Sequence, residues 1–141
     1  MSIEVHIDWA GETSLVGVLY PAARSAAVSF EYASAWLARP DAFSIDPTSL
    51  PLRPGGHHSS ALFGAMQDCG PDRWGRQLIE RAVRQHVLER KPYQDLDYVL
   101  ALDDASRIGA LRFRSTADSP FLAASVGKLP PLVQLSALVR A

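Results

Sequence analysis

Residues Ile3 to Tyr32, IEVHIDWAGETSLVGVLYPAARSAAVSFEY, carry the clearest strand pattern of this 141-residue chain. Its first seven residues alternate between apolar and polar side chains, which is the pattern of a strand with one buried face. A turn is predicted next. It is followed by a second strand, with Val16 and Val18 on one face and Leu19 on the other, and by a third over 26–32. Because parallel strands would need a long crossover between them, this short spacing predicts an antiparallel meander.

The rest of the chain adds helices and short strands. Four prolines between Pro40 and Gly56 argue against a helix there and favour short edge strands. A last strand is predicted over 108–114, and helices are predicted over 34–37, 61–67, 71–90 and 96–102, the first two capped by Ser34 and by Ser59 or Ser60. The expected fold class is α+β: a small antiparallel, barrel-like sheet with several packed helices. We expect one domain over 1–114 and, over 115–141, a linker and the start of another helix.

The composition is that of an ordinary globular chain, with 48% hydrophobic and 21% charged residues. The net charge of −1 argues against a generic nucleic-acid binder, although residues 1–70 hold −4 and residues 71–141 hold +3. The single cysteine cannot form an internal disulfide, so a reducing compartment, the cytoplasm, is expected. No apolar run reaches the roughly 18 residues of a membrane helix, and no membrane partner is expected.

The helix predicted from Pro71 to about Arg90 contains the main candidate site. Pro71 suits its first turn, and Asp72 complements the helix dipole. At about 100° per residue, its apolar face comprises Trp74, Leu78, Ile79, Ala82, Val83 and Val87, and its other face comprises Arg73, Gln77, Arg81 and Arg84. The arginine face suits a phosphate, an acidic partner or nucleic acid, and the alternative is a solvated face with pairs such as Glu80–Arg84. The candidate partner-contact residues are Arg73, Trp74, Arg76, Arg81 and Arg84.

The sequence lacks the motifs of common enzyme sites. Gly70–Gly75 and Gly127-Lys128 do not have the Gly-Lys-Ser/Thr ending of a phosphate loop, and no kinase catalytic loop occurs. His57, His58 and Cys69 allow two further hypotheses, a zinc site or a thiol-dependent enzyme. Adjacent histidines in a loop are usually solvated, however, and a lone cysteine usually packs as a small apolar residue. We therefore expect no catalytic residue, no metal and no cofactor in this chain.

Several stretches, taken together, resemble one family. They are Ser29–Tyr32 followed by Trp36-Leu37, Leu50-Pro51-Leu52 before Gly55, Pro71–Arg76, Leu78–Arg81, and Leu102–Phe113. Their order and spacing resemble the N-terminal subdomain of HipA-type toxins, the serine/threonine kinases of HipBA toxin–antitoxin modules. The resemblance covers roughly residues 3–114.

The resemblance implies a fold and a role. In that family the N-terminal part is a small antiparallel, barrel-like sheet with helices, held against the catalytic core and contacted by the DNA-binding HipB antitoxin. The ATP loop, the catalytic aspartate and the Mg²⁺-binding aspartate lie further along such kinases, so ATP and Mg²⁺ are expected only for a kinase core outside this chain. The expected partners are a HipA-type kinase core, in cis or in trans, and a HipB-like helix-turn-helix antitoxin. On its own the chain is not expected to be an enzyme.

Two explanations fit the length of the chain. The first is a HipA-like protein whose kinase half is absent, because the pattern beyond Phe113 resembles an interrupted continuation. The second is a complete small antitoxin similar to HipS, which resembles a detached HipA N-terminal domain and binds its kinase. A rival class is a nucleic-acid accessory protein that uses Arg73, Arg81 and Arg84, although direct nucleic-acid binding is not expected.

Overall fold

A computed structural model of the chain describes residues 2–85, 93–101 and 109–115. Within these ranges, five strands form one antiparallel sheet in the order β4-β3-β2-β1-β5. The strands are β1 (Ile3–Trp9), β2 (Glu12–Pro21), β3 (Val28–Tyr32), β4 (Gly56–Ser59) and β5 (Leu111–Arg114). The α+β class and the antiparallel meander of β1, β2 and β3 are confirmed.

Although the sequence predicts a barrel-like sheet, the described strands form an open sheet that is not closed into a barrel. β4 and β5 lie at opposite edges, with three strands between them, and each is only four residues long. Strands this short offer few backbone groups for a ladder that would close a barrel. In the described residues, β4 pairs only with β3 and β5 pairs only with β1.

A β-bulge in β2 changes which side chains of that strand face the core. The register with β1 shifts so that Val16 has no cross-strand partner, while Leu15 and Gly17 on either side of it are paired. The extra residue disturbs the alternation of faces, and Val16 is buried together with Leu19. Val18 is only half-buried. The predicted grouping of Val16 with Val18, opposite Leu19, is therefore wrong.

The main core joins one face of the sheet to the helices and connections that pack on it. It contains Ile3, Val5, Ile7, Val16, Leu19, Val28, Phe30, Tyr32 and Phe113 from the strands, with Trp36, Leu50, Leu62, Phe63 and Met66 from elsewhere. Tyr32 and Trp36 each donate a hydrogen bond from the main core to a backbone carbonyl. The Tyr32 hydroxyl donates to Leu50 O (2.6 Å), and Trp36 Nε1 donates to Phe43 O (3.2 Å). These bonds hold the proline-rich connection against the sheet.

Asp46 organises that connection. Asp46 is buried, and its carboxylate accepts hydrogen bonds from the backbone N–H groups of Ser49 and Ala65, each at 3.1 Å. The edge strands predicted between Pro40 and Gly56 are reduced to an isolated bridge between Asp46 and Leu50. Prolines lack the N–H donors that a longer ladder would need, and the Asp46 side chain provides the local hydrogen bonds instead.

Four helices occur in the described ranges: α1 (Ser34–Leu37), α2 (Gly64–Gln67), α3 (Arg73–Arg84) and α4 (Asp95–Ala101). Ser34 is the first helical residue rather than the cap, and neither α1 nor α2 has a side-chain cap. α2 starts later than predicted because Leu62 and Phe63 are buried in the main core before the helix begins. The predicted helical residues beyond Gln85, and the linker and helix over 116–141, lie outside the described residues.

No helix within the described ranges has both the length and the apolar character needed to cross a membrane.

Candidate functional site

A side-chain cap fixes the start of α3. The Oδ1 atom of Asp72 accepts a 2.8 Å hydrogen bond from the backbone N–H of Gly75. This bond satisfies one free amide of the first turn and places a negative charge at the positive end of the helix dipole. The role predicted for Asp72 is confirmed, whereas Pro71 precedes the cap instead of lying in the first turn.

The buried side of α3 forms a second hydrophobic cluster with α4. Its members are Leu78, Ile79, Ala82 and Tyr98, with Tyr93 and Ala101 packed against them. This cluster is distinct from the main core. The predicted apolar face is confirmed at these three α3 residues, and Val83 is half-buried.

Arg76 links α3 to α4. Its Nη2 atom donates to Asp95 Oδ1 (2.9 Å), and its guanidinium carbon lies 4.5 Å from the centre of the Tyr98 ring. Arg76 therefore has partners within this chain, namely Asp95 and Tyr98. The sequence contains no local signal for this arrangement, because Asp95 lies on another helix.

Glu80 is also engaged with α4. Its Oε1 atom accepts a 3.2 Å hydrogen bond from the Tyr98 hydroxyl. Burial, together with this bond to a carboxylate, raises the pKa of Tyr98 above its ordinary value. The local pair considered between Glu80 and Arg84 is absent among the ion pairs of the described residues. The pair that illustrated the solvated-face alternative is therefore not formed, and the alternative itself stays open.

The exposed side of α3 brings together most of the predicted contact residues. We call it the α3 surface: Arg73, Trp74, Gln77, Arg81 and Arg84, all of which are exposed. At about 100° per residue these five positions span an arc of roughly 100°. Trp74 is 52% exposed, so its predicted place on the apolar face is wrong. It lies at the border of that face, on the same side of the helix as Arg81, and is not a member of the second cluster.

The histidines and the cysteine considered for a metal or thiol site are separated by the fold. His57 is buried in contact with the Tyr32 ring, whereas the next residue, His58, is exposed and its Nδ1 lies 2.8 Å from Ser29 Oγ. Adjacent residues of a strand point to opposite faces, and the two histidines lie on β4. Cys69 is buried, with its Sγ 3.4 Å from Ala65 O. No group of three possible metal ligands occurs in the part of the chain that the structure describes.

A groove of about 540 Å³ lies between the β2–β3 connection and α4. Its walls include the small residues over 22–27 and the apolar side chains of Leu62, Leu96 and Leu100. Of its carboxylates, Asp95 binds Arg76 and Asp97 accepts from the backbone N–H of Gln94. Sequence reasoning did not identify this groove, because its two walls are far apart in the chain.

Comparison with known proteins identifies the family. No curated protein matches the chain. A family model described as the HipA N-terminal domain matches residues 8–115, which is 108 of the 141 residues. The match includes all of α3 and all of the meander except the first five residues of β1. On this match, which covers well over half of its length, the chain belongs to the HipA N-terminal domain family.

Proposed function

We propose that this chain is a non-catalytic docking module of a HipA-type toxin–antitoxin kinase, which packs on a kinase core. Membership in the HipA N-terminal domain family is the observation that supports this function most. The core is supplied either by an in-frame continuation of the chain or by a separate polypeptide. A HipB-like helix-turn-helix antitoxin is the expected second partner, and the cytoplasm is the expected compartment.

The sequence supports the non-catalytic part of the proposal. It contains neither a Gly-Lys-Ser/Thr phosphate loop nor a kinase catalytic loop with an aspartate base. In this proposal ATP and Mg²⁺ bind to the kinase core. The described side chains also do not assemble His57, His58 and Cys69 into one site, as described above.

Autophosphorylation tests the non-catalytic role. The purified chain is incubated with Mg²⁺ and radiolabelled ATP, alone and with a HipA-type kinase core from the same genome. We expect label only when the core is present. Label on the chain alone, in a preparation free of other kinases, would contradict the proposal.

Binding to the core tests the docking role. We expect the chain and the core to co-elute as one complex in size-exclusion chromatography and to bind in isothermal titration calorimetry. Separate elution, with no heat of binding, would reject docking.

A separate HipS-like antitoxin remains the alternative form of the same docking function. The neighbouring reading frames distinguish the two forms. An in-frame kinase continuation identifies a HipA part, whereas a helix-turn-helix gene upstream and a kinase-core gene downstream identify the HipS-like form. In the second form the chain added in trans should also lower the kinase activity of the core.

A further inference from the structure

We infer that the α3 surface binds an acidic segment of a protein partner. The inference rests on the proposed function, in which that partner is the kinase core. It adds to that function the surface of this chain that makes the contact and the groups, carboxylates, that the partner presents to it.

The charge of the α3 surface is the first argument. Arg73, Arg81 and Arg84 are exposed, and none of them takes part in an ion pair among the described residues. The nearest α3 carboxylates are hydrogen-bonded elsewhere: Asp72 caps the helix, and Glu80 accepts from Tyr98. Three guanidinium groups on one helix face are complementary to carboxylates, which they can bind in a bidentate manner.

The exposed indole of Trp74 is the second argument. Tryptophan is usually largely buried, yet Trp74 is 52% exposed on a helix that buries Leu78, Ile79 and Ala82. Tryptophan and arginine are the residue types most enriched among the energetically dominant contacts of protein interfaces. Trp74 therefore supplies an apolar anchor on the same exposed side of the helix as the arginines.

The contacts of α3 with its cap and with α4 are the third argument. The Asp72 cap fixes its first turn, the contact of Arg76 with Asp95 and Tyr98 fixes its middle, and Leu78, Ile79 and Ala82 hold its buried face. A helix held in this way presents its exposed side chains on an ordered backbone before binding. Such preorganisation lowers the entropic cost of association.

The same charges favour a protein over nucleic acid as the partner. The chain as a whole carries a net charge of −1, and the α3 surface offers three exposed guanidinium groups. A phosphodiester strand carries a continuous row of negative charges, and binding to it is favoured by an excess of positive charge that this chain lacks. An acidic peptide segment can place single carboxylates opposite single arginines, because its charges are separated by neutral residues.

Charge neutralisation tests the inference. The affinity for a HipA-type kinase core is measured by isothermal titration calorimetry for the wild-type chain, Arg81→Gln/Arg84→Gln, and Trp74→Ala. The matched control is Arg24→Gln/Arg53→Gln, which removes the same charge from two exposed arginines outside α3. Circular dichroism confirms that each variant is folded.

The expected results separate the α3 surface from the rest of the molecule. We expect the α3 double variant and Trp74→Ala each to bind about tenfold more weakly, and the control to bind within about twofold of wild type. Raising the salt concentration from about 0.05 M to about 0.5 M should reduce the difference in affinity for the core between wild type and the α3 double variant, because salt screens exposed charges.

Three other outcomes would contradict the inference, and they distinguish its failure from that of the docking function. If the wild-type chain binds the core and both α3 variants bind equally well, the inference is overturned while the docking function stands. If the wild-type chain does not bind the core, both are rejected. If the α3 double variant loses binding to a DNA duplex but keeps its affinity for the core, the partner of the α3 surface is nucleic acid and the inference is wrong.

Discussion

Gly17 lies in the middle of β2, directly against the ring of Phe30. A Cβ atom at this position would lie 2.5 Å from Phe30 Cζ and 2.3 Å from the carbonyl oxygen of Glu31. The second neighbour is backbone and cannot swing away. Gly17→Ala should therefore lower the free energy of unfolding by about 2 to 3 kcal/mol, measured by urea denaturation.

Gly64→Ala is the matched control for Gly17→Ala. A Cβ atom at Gly64 would meet only Asp46 Oδ2, at 3.6 Å, which is an ordinary contact. Because Gly64 is the first residue of α2, alanine should leave the stability unchanged or raise it by about 0.5 kcal/mol. Equal losses in the two variants would contradict the steric explanation for Gly17.

His57 is a buried polar residue on β4. Its side chain is buried edge-on to Tyr32, and within the described residues its Nε2 atom is buried with no hydrogen-bond partner. A buried polar atom without a partner costs free energy that an apolar side chain of similar shape would not. We expect His57→Phe to raise the free energy of unfolding by about 1 kcal/mol.

Thermal and urea denaturation of His57→Phe measure this gain. The control is His58→Phe on the same strand, because His58 is exposed and hydrogen-bonded to Ser29. Its replacement removes that hydrogen bond but does not remove a buried polar atom without a partner. A loss of stability in His57→Phe would show that Nε2 is satisfied in solution, for example by water.

Glu4 shows how side chains join two elements, β1 and β5. Its Oε1 atom lies 3.0 Å from Arg114 Nε and 2.9 Å from His6 Nε2. Burial opposes ionisation of the Glu4 carboxyl, but the hydrogen bonds from His6 and Arg114 outweigh burial and place its pKa below the ordinary value of 4.5. Ionised Glu4 therefore stabilises the pairing of the edge strand β5 with β1.

The sign of the resulting pH dependence follows from this lowered pKa. The unfolded state binds the proton more readily than the folded state, so the contribution of Glu4 is complete above about pH 4.5 and is lost as the pH falls through the folded-state pKa. Urea midpoints measured across this acid range should fall less steeply for Glu4→Gln than for wild type. The control is Glu31→Gln, which removes an exposed carboxylate of β3. An unchanged acid slope in Glu4→Gln would contradict this assignment.

At the scale of elements, the sequence predicted most strands and helices but misplaced several of their edges. Alternation found β1 and β3, and helical periodicity found α3 and α4, because these patterns depend on neighbours within one element. The start of α2 was missed, since Leu62 and Phe63 are drawn into the main core before the helix begins. The bulge at Val16 was missed because it is a property of the pair β1–β2 and not of either strand alone.

At the scale of the whole molecule, the described residues form two hydrophobic clusters. The main core belongs to the sheet, and the second cluster belongs to α3 and α4. Arg76 adds a polar link to the second cluster through Asp95 and Tyr98. The position of the α3 surface relative to α4 therefore depends on a small number of contacts.

Replacing Arg76 tests this dependence. Arg76→Met keeps an apolar stem but removes the ion pair and the stacking on Tyr98, so we expect a loss of about 1 kcal/mol in the free energy of unfolding. In hydrogen–deuterium exchange, the amides of α3 should exchange faster while those of β1 and β2 keep their protection. Arg73→Met is the control, because Arg73 is exposed. Uniformly faster exchange over sheet and helices would contradict two separable clusters.

The fold class, the meander, the amphipathic α3 and the resemblance to the HipA N-terminal domain can be predicted from the sequence, because they follow from the order of residues within short segments. The structure was needed to show that the sheet stays open, that Trp74 is exposed, and that Arg76 and Glu80 turn toward α4. Local patterns do not predict these features, since the partners of these groups lie on other elements. A helical repeat predicts which side of α3 is apolar, but the extent of that side's burial depends on the size of the cluster that covers it. Trp74 is not a member of this cluster, so it stays exposed on the side of α3 that holds the arginines.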